Sequence, residues 1–245
     1  MSLDRAAPRT AMVLAAGFGT RMRPLTERLP KPLISLRGRA LLDHVIDRLE
    51  EAGVETIVVN THYLAEQIAA HLAARRSPRI ELSSERELLD TGGGILKALP
   101  LLGERFFVVN SDAFWLDGKV PALRRLAGAW RDAEMDALLL LTRTTTVGGY
   151  DGFGDYLLDP LGVPRRRGER QVAPFVFAGL RILHRRLFAG AETLPAKFSV
   201  NRLFDRAERA GRLRAVVHDG EWYHIGTPAE LAAAEQRLAV YRIDR

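Results

Sequence analysis

A chain of 245 residues, 47% hydrophobic and 27% charged, has enough apolar material for one sizeable core, and its length suits one large domain or two small ones. It has no cysteine, which excludes disulfides, thiolate metal sites and thiol nucleophiles. A formal charge of +6 and a pI near 10.0 favour anionic partners without choosing among nucleic acid, a membrane surface and phosphorylated small molecules.

Met1–Arg9 is polar, lacks the apolar run of a signal peptide, and is expected to be disordered. The longest apolar stretch, Ala137–Leu141, is too short to cross a bilayer, so a cytoplasmic protein with no membrane partner is expected. From Thr10 onward, short apolar runs alternate with segments of helical period. Met12–Ala16 predicts a buried first strand, and Leu41–Ala52 an amphipathic helix ended by Gly53. Thr56–Asn60 has the β-branched density of a strand, Leu64–Ala74 repeats Leu64, Ile68 and Leu72 on one helical face, and Arg79–Leu82 reads as a further strand. A short helix over Gly94–Leu99 follows, then a buried strand over Arg105–Asn110, a helix over Val120–Arg131 and a strand over Ala137–Thr142.

Beyond Thr142 the rhythm breaks into the Thr- and Gly-rich stretch Thr144–Gly154 and the segment Asp159–Gly168, whose basic run Arg165–Arg167 reads as a solvated loop. Gln171–Leu183 predicts one or two strands, Ser199–Ala210 a helix and Leu213–Val217 a last strand. Pro228–Leu238 predicts a closing helix, with Thr227 as N-cap and proline at the first helical position. The whole pattern is α/β: a mostly parallel, mixed sheet flanked by helices.

Three segments carry chemistry. In Leu14–Arg23, a strand runs into Gly17 and Gly19, where backbone N–H groups can approach phosphates closely, while Arg21 and Lys31 supply cationic charge. Neither the third glycine of a dinucleotide fingerprint nor the G-K-[ST] of a Walker A loop is present. The strand Val108–Asn110 delivers Asp112 at its carboxyl end, where an aspartate can hold Mg2+ beside a triphosphate or simply cap a turn. In Asp90–Ile95 three glycines open a helix, a turn that permits flat backbone contact with a base and equally a flexible linker.

The run from Leu14 to Thr26, with Pro30-Lys31-Pro32 after it, resembles the signature L-A-A-G-x-G-T-R-x-x-P-L-T…P-K-P of the sugar-nucleotide pyrophosphorylases at every fixed position. The resemblance implies a Rossmann-like, GT-A-like nucleotidyltransferase fold spanning 10–245 as a single domain without a β-helix domain. Within it, 10–143 would bind nucleotide, 144–220 the sugar phosphate, and 221–245 would carry a metal motif and closing helix. It implies that Ala15, Ala16, Gly17, Gly19, Thr20, Arg21, Lys31, Glu85, Gly92, Gly93 and Asn110 surround the nucleotide, with Arg21, Lys31 and Asp112 catalytic. Asn110, Asp155, Gly179 and Lys197 would bind the sugar phosphate. Trp222–Pro228 resembles the family's W-x-D-x-G-T-P, with His224 in place of the aspartate. The metal implied is Mg2+ on Asp112 and His224, with Mn2+ as the alternative that an imidazole ligand would accept.

The implied reaction transfers a nucleoside monophosphate from an NTP to a sugar 1-phosphate and releases pyrophosphate. The D-T-G-G-G-I segment most resembles bacterial N-acetylmuramate 1-phosphate uridylyltransferases of peptidoglycan recycling. Mannose 1-phosphate guanylyl and glucose 1-phosphate thymidylyl transfer are the alternatives. A silent nucleotide-sugar-binding regulator is the non-enzyme alternative, suggested by His224, and nucleic-acid binding rests on charge alone. The expected assembly is a monomer or small homo-oligomer.

Overall fold

The computed structural model describes residues 7–147 and 150–241. In chain order the elements are β1 (Thr10–Leu14), β2 (Ser35–Leu36), β3 (Arg39–Ala40), α1 (Leu41–Glu51), β4 (Thr56–Thr61), α2 (Ala65–Leu72), β5 (Arg79–Ser84) and α3 (Asp90–Ala98). They continue as β6 (Arg105–Asn110), β7 (Phe114–Leu116), α4 (Ala122–Ala129), β8 (Ala137–Arg143), β9 (Tyr156–Leu158), β10 (Pro164–Arg166) and β11 (Phe175–His184). The last are α5 (Asn201–Arg209), β12 (Leu213–Val217), β13 (Glu221–Tyr223) and α6 (Pro228–Leu238).

The main sheet runs β10-β9-β11-β6-β1-β4-β5, with β8 joining β11 to β12. β5, β4, β1 and β6 are parallel neighbours, whereas β11 is antiparallel to both β6 and β8, so the sheet is mixed as the residue pattern predicts. Helices cover both faces, which is why β1, β6 and β8 read as continuous apolar runs rather than alternating ones. Val13, Val109 and Leu140 face the layer holding Val45, Ile46 and Leu49 of α1. Met12, Val108 and Leu139 face the layer holding Ile95 of α3 and Phe204 of α5. A smaller cluster of Met22, Ile34, Leu41, Tyr223 and Ile225 anchors the long loop after β1 to the closing segment. None of the described helices is long and apolar enough to cross a membrane.

Several elements differ from expectation for identifiable reasons. α3 begins at Asp90 rather than Gly94, with all three glycines inside it. A Cβ at Gly92 would lie 2.3 Å from the Phe198 ring, and one at Gly93 would lie 2.1 Å from the Ala196 carbonyl oxygen. These glycines therefore serve close packing, which offsets a helix-propensity cost of about 1 kcal/mol each. The segment around Asp159–Gly168, expected as loop, contains strand β10 paired to β9. Arg166 in it binds Asp205 on α5 with both an Nε and an Nη2 hydrogen bond, which ties β10 to that helix. Of the expected disordered segment 1–9, residues 1–6 lie outside the described residues, and the Arg9 carbonyl accepts from Glu55 N at 2.8 Å. The closing helix matches expectation: Thr227 Oγ1 accepts from Glu230 N, and Pro228 occupies the first helical position.

Candidate active site

The site is built on the carboxyl ends of β1, β4 and β6. In register, Leu14 lies opposite Asn60 on β4 and Asn110 on β6. The chain leaves β1 toward β4 while β6 closes the other side, which opens a crevice at the switch in strand order. Two cavities meet there. One, of about 340 Å³, is lined by Ala15, Ala16, Gly17 and Gly19, by Lys31, by Asp90 and Thr91 at the head of α3, and by Lys197. The other, of about 470 Å³, is lined by Arg21, Tyr150, Asp151, Asp155, Gly179, His224 and Glu230. Asn110 and Asp112 line both.

The glycine loop holds its shape through Gly19, at φ +63°, where an added Cβ would lie 3.0 Å from both Lys31 Cβ and Thr26 Cγ2. Thr26 Oγ1 donates to the Gly19 carbonyl at 2.8 Å, folding the loop back so that Lys31 reaches the crevice. Lys31 Nζ lies 2.5 Å from Asp112 Oδ2, with side chains 13% and 34% exposed. The pair keeps an ammonium group, largely out of water, beside the point where the cavities join. Gly17 is exposed at the rim, Thr20 is exposed and lines neither cavity, and Arg21 stands on the second cavity rather than the first.

A buried hydrogen-bond chain supports this loop from behind. Ala15 N donates to Asn60 Oδ1 at 2.8 Å, Asn60 Nδ2 donates to Glu85 Oε1 at 2.7 Å, and Leu89 N donates to Glu85 Oε2 at 2.9 Å. Glu85 is 5% exposed and both of its oxygens are engaged within the protein, so the structure places it behind the cavity wall rather than on it. Gly92 and Gly93 are placed the same way: their N–H groups donate to the Phe198 carbonyl at 2.9 and 3.2 Å. They thereby hold the neighbouring Lys197 over the first cavity, apart from Asp155 and Gly179, with which it was grouped as a sugar-phosphate residue and which line the second. The wall of the first cavity is formed at this point by Leu88, Asp90 and Thr91, so the segment Asp90–Ile95, read as a base-contacting glycine turn, reaches the cavity through its first two residues instead of its glycines. Leu88 carried no such signal, whereas Asp90 and Thr91 open α3, and helix N-termini attract phosphates and polar ligands.

In the second cavity, Asp155 Oδ2 accepts from Phe177 N at 2.8 Å. The adjacent Gly154, at φ +69°, allows this because an added Cβ would meet the Ala173 carbonyl oxygen at 2.0 Å. The Tyr150 hydroxyl accepts from Gly154 N at 3.2 Å, and burial raises its phenol above the ordinary value, so it enters the cavity neutral. Gly179, at φ +83°, sits in the irregular part of β11 between Phe177 and Arg181, facing Ala113 and Asn110. His224 Nε2 lies 3.7 Å from Glu230 Oε1, while Glu230 Oε2 accepts from Gly226 N at 2.8 Å. Glu230 was legible as the acidic residue three after an N-cap threonine, although its place on the cavity was not.

Asp112 and His224 do face one cavity. Among the described residues, however, no group of three or more His, Asp or Glu gathers as a metal cage. Such a sparse donor set fits a hard divalent cation that keeps waters and shares its coordination with substrate phosphates.

The chain matches the MobA-like NTP transferase domain over residues 11–212. It is 45% identical over 239 residues to the N-acetylmuramate alpha-1-phosphate uridylyltransferase of Caulobacter vibrioides, covering 95% of this chain and 98% of that one. It is 34% identical to the protein of the same name from Neisseria meningitidis, covering 95% and 99%. Among solved structures, the UDP-glucose pyrophosphorylase of Acinetobacter baumannii superposes with a TM-score of 0.80 at 16% identity, covering 97% of this chain and 95% of that one. At that identity the likeness shows the fold alone.

Proposed function

This chain belongs to the MobA-like NTP transferase domain family, and from that premise we propose that its first cavity takes UTP and its second takes N-acetylmuramate 1-phosphate. The chain is a nucleotidyltransferase that forms an NDP-sugar and pyrophosphate from an NTP and a sugar 1-phosphate. The observation that carries the assignment of cavities is that Asn110 and Asp112 line both, so two anionic substrates, one in each cavity, meet at one pair of side chains. The uridylyl and N-acetylmuramate specificity rests on the two relatives of matching length.

In the reaction, a phosphate oxygen of the sugar 1-phosphate forms a bond to the α-phosphorus of UTP, and the bond from that phosphorus to the bridging oxygen of the β-phosphate breaks. Pyrophosphate leaves with the electron pair. The nucleophile is already anionic and needs no general base. The work of the chain is to orient two mutually repelling anions in line and to stabilise the charge that develops between them. The loop N–H groups of 16–19 cradle phosphates, Lys31 swings from Asp112 to the transferring phosphoryl group, and Lys197 adds positive charge to the first cavity. Arg21 faces the acceptor phosphate, and Asp155 and Tyr150 offer hydrogen bonds to sugar hydroxyls. Asp112, with His224, would hold Mg2+ or Mn2+, which when bound neutralises phosphate charge at the reacting centre.

Pyrophosphate release measured across UTP, GTP, dTTP and CTP against N-acetylmuramate, N-acetylglucosamine, mannose and glucose 1-phosphates tests the proposal. Turnover at least tenfold faster for the UTP and N-acetylmuramate pair is expected. Preference for another pair refutes the substrates, and loss of turnover in Asp112→Asn but not under chelation refutes the metal.

A further inference from the structure

Arg181 lies in the middle of β11, flanked by Val108 on one neighbouring strand and Leu139 on the other. It is 1% exposed. Among the described residues no carboxylate lies within ion-pairing distance of it, and its Nε and Nη2 atoms are buried without a hydrogen-bond partner. The Phe177 ring lies 5.1 Å from the guanidinium carbon. Among the described residues its one side-chain hydrogen bond runs from Nη1 to Asn110 Oδ1, at 3.2 Å. A buried arginine with no counter-ion is costly, and sheet stability gives no reason to keep it.

That single bond has a directional consequence. A guanidinium can only donate, so the Asn110 atom facing Arg181 must be the carbonyl oxygen, which fixes the amide orientation. The Asn110 amide nitrogen then points toward Gly179 on the wall of the second cavity, where a Cβ on residue 179 would approach it to 3.4 Å. Gly179 has no side chain to cover it. Asn110 therefore presents two N–H donors at the place where both cavities meet, where the incoming groups are phosphate oxygens that can only accept. With the amide turned over, the same side chain would present a carbonyl oxygen to those anions and repel them.

Resting on the two-cavity reading above, we propose that Arg181 is a positioning residue for the acceptor phosphate: it locks the Asn110 amide with its N–H groups toward the sugar 1-phosphate and leaves an uncompensated positive charge beneath that subsite. The low dielectric around it makes both effects stronger than on a surface, at the cost of destabilising the charged form, whose pKa burial lowers to about 9.

The test compares Arg181→Met and Arg181→Lys with wild type, each also in an Asn110→Ala background, with thermal unfolding recorded for all. Arg181→Met keeps the packing volume but cannot donate. It is expected to raise the KM for the sugar 1-phosphate about tenfold, the loss of one charge-assisted hydrogen bond, while the KM for UTP changes less than about twofold. The melting temperature is expected to hold or rise, since an unpaired buried charge is removed. Arg181→Lys, which can still donate to Asn110, restores most of the acceptor KM. In the Asn110→Ala background the Met substitution should add little. An unchanged acceptor KM in Arg181→Met overturns the proposal, as does an equal effect with and without Asn110. Should the wild type turn over a different sugar 1-phosphate, the substrate assignment fails while the Arg181 comparison is read on that sugar. Should no sugar turn over, the two-cavity reading fails, and a calorimetric titration with N-acetylmuramate 1-phosphate that finds equal affinity in wild type and Arg181→Met overturns the inference separately.

Discussion

Replacing Glu85 with glutamine separates a supporting role from a nucleotide contact. In the structure, Glu85 Oε1 accepts from Asn60 Nδ2 at 2.7 Å and Oε2 accepts from Leu89 N at 2.9 Å, behind a wall that leaves the side chain 5% exposed. Glutamine has the same shape but only one acceptor oxygen. If that oxygen keeps Leu89 N, its amide faces the Asn60 amide donor to donor. Asn60 cannot turn over in response, because its own oxygen accepts from Ala15 N at 2.8 Å. One buried donor is therefore orphaned whichever way the glutamine sits, at a cost of about 1–3 kcal/mol. Taking about 2 kcal/mol, and about 2–4 °C per kcal/mol for a chain of this size, the melting temperature should fall by about 4–8 °C. The KM for UTP should rise only severalfold, because the loop at Ala15 loosens without losing a direct contact. Thermal unfolding by circular dichroism and initial-rate kinetics on the same preparation give both quantities. A melting temperature within about 1 °C of wild type, together with a large rise in the UTP KM, would refute the buried-network argument and return Glu85 to the nucleotide.

Lys31→Ala should lower kcat by about 100- to 1000-fold in the pyrophosphate-release assay with the fold retained, the usual loss for a charged group acting on the transition state; a drop under fivefold would remove it from the reacting centre. Gly19→Ala should destabilise the chain by about 1–2 kcal/mol in urea titration and raise the UTP KM, since its φ of +63° disfavours a Cβ that would also press on Lys31 and Thr26; an unchanged midpoint would contradict the tight fold of the loop. Burial lowers His44, His184 and His218 from the ordinary histidine value, so the unfolded chain takes up protons first on acidification. Stability is then full above the ordinary value near 6.5 and falls as pH drops below it, and a melting temperature flat between pH 7.5 and 5.5 would show that these rings do not contribute.

Much of the framework was legible in the chain itself. The strands at Arg105–Asn110 and Leu213–Val217 and the helix at Pro228–Leu238 match residue for residue, because unbroken apolar runs and a Thr-Pro helix start are local signals that packing did not override. The short pieces β7, β9, β10 and β13 were not legible. Three-residue strands have no periodicity of their own and exist because a partner lies across from them, as Trp115 does from Trp222. The glycine loop and Asp112 were legible as positions on the cavity because chemistry and spacing coincide within a few residues. Glu85, Gly92 and Gly93 were identified as positions that matter, but the structure sets them behind the first cavity, in contacts with Asn60, Ala196 and Phe198 that are remote in sequence.

By itself, then, the sequence determined the α/β order, the glycine loop and the cationic and acidic groups a phosphate-transfer centre requires, all of which are encoded in short windows where local sterics and charge suffice. Only the tertiary structure decided that Arg21 faces one cavity and Lys197 the other, that Asn110 and Asp112 stand where the two join, and that Arg181 reaches Asn110 from beneath. Those placements depend on the register of β1, β6 and β11 and on loops folded over their ends, and register is set by the packing of the whole sheet rather than by any one segment.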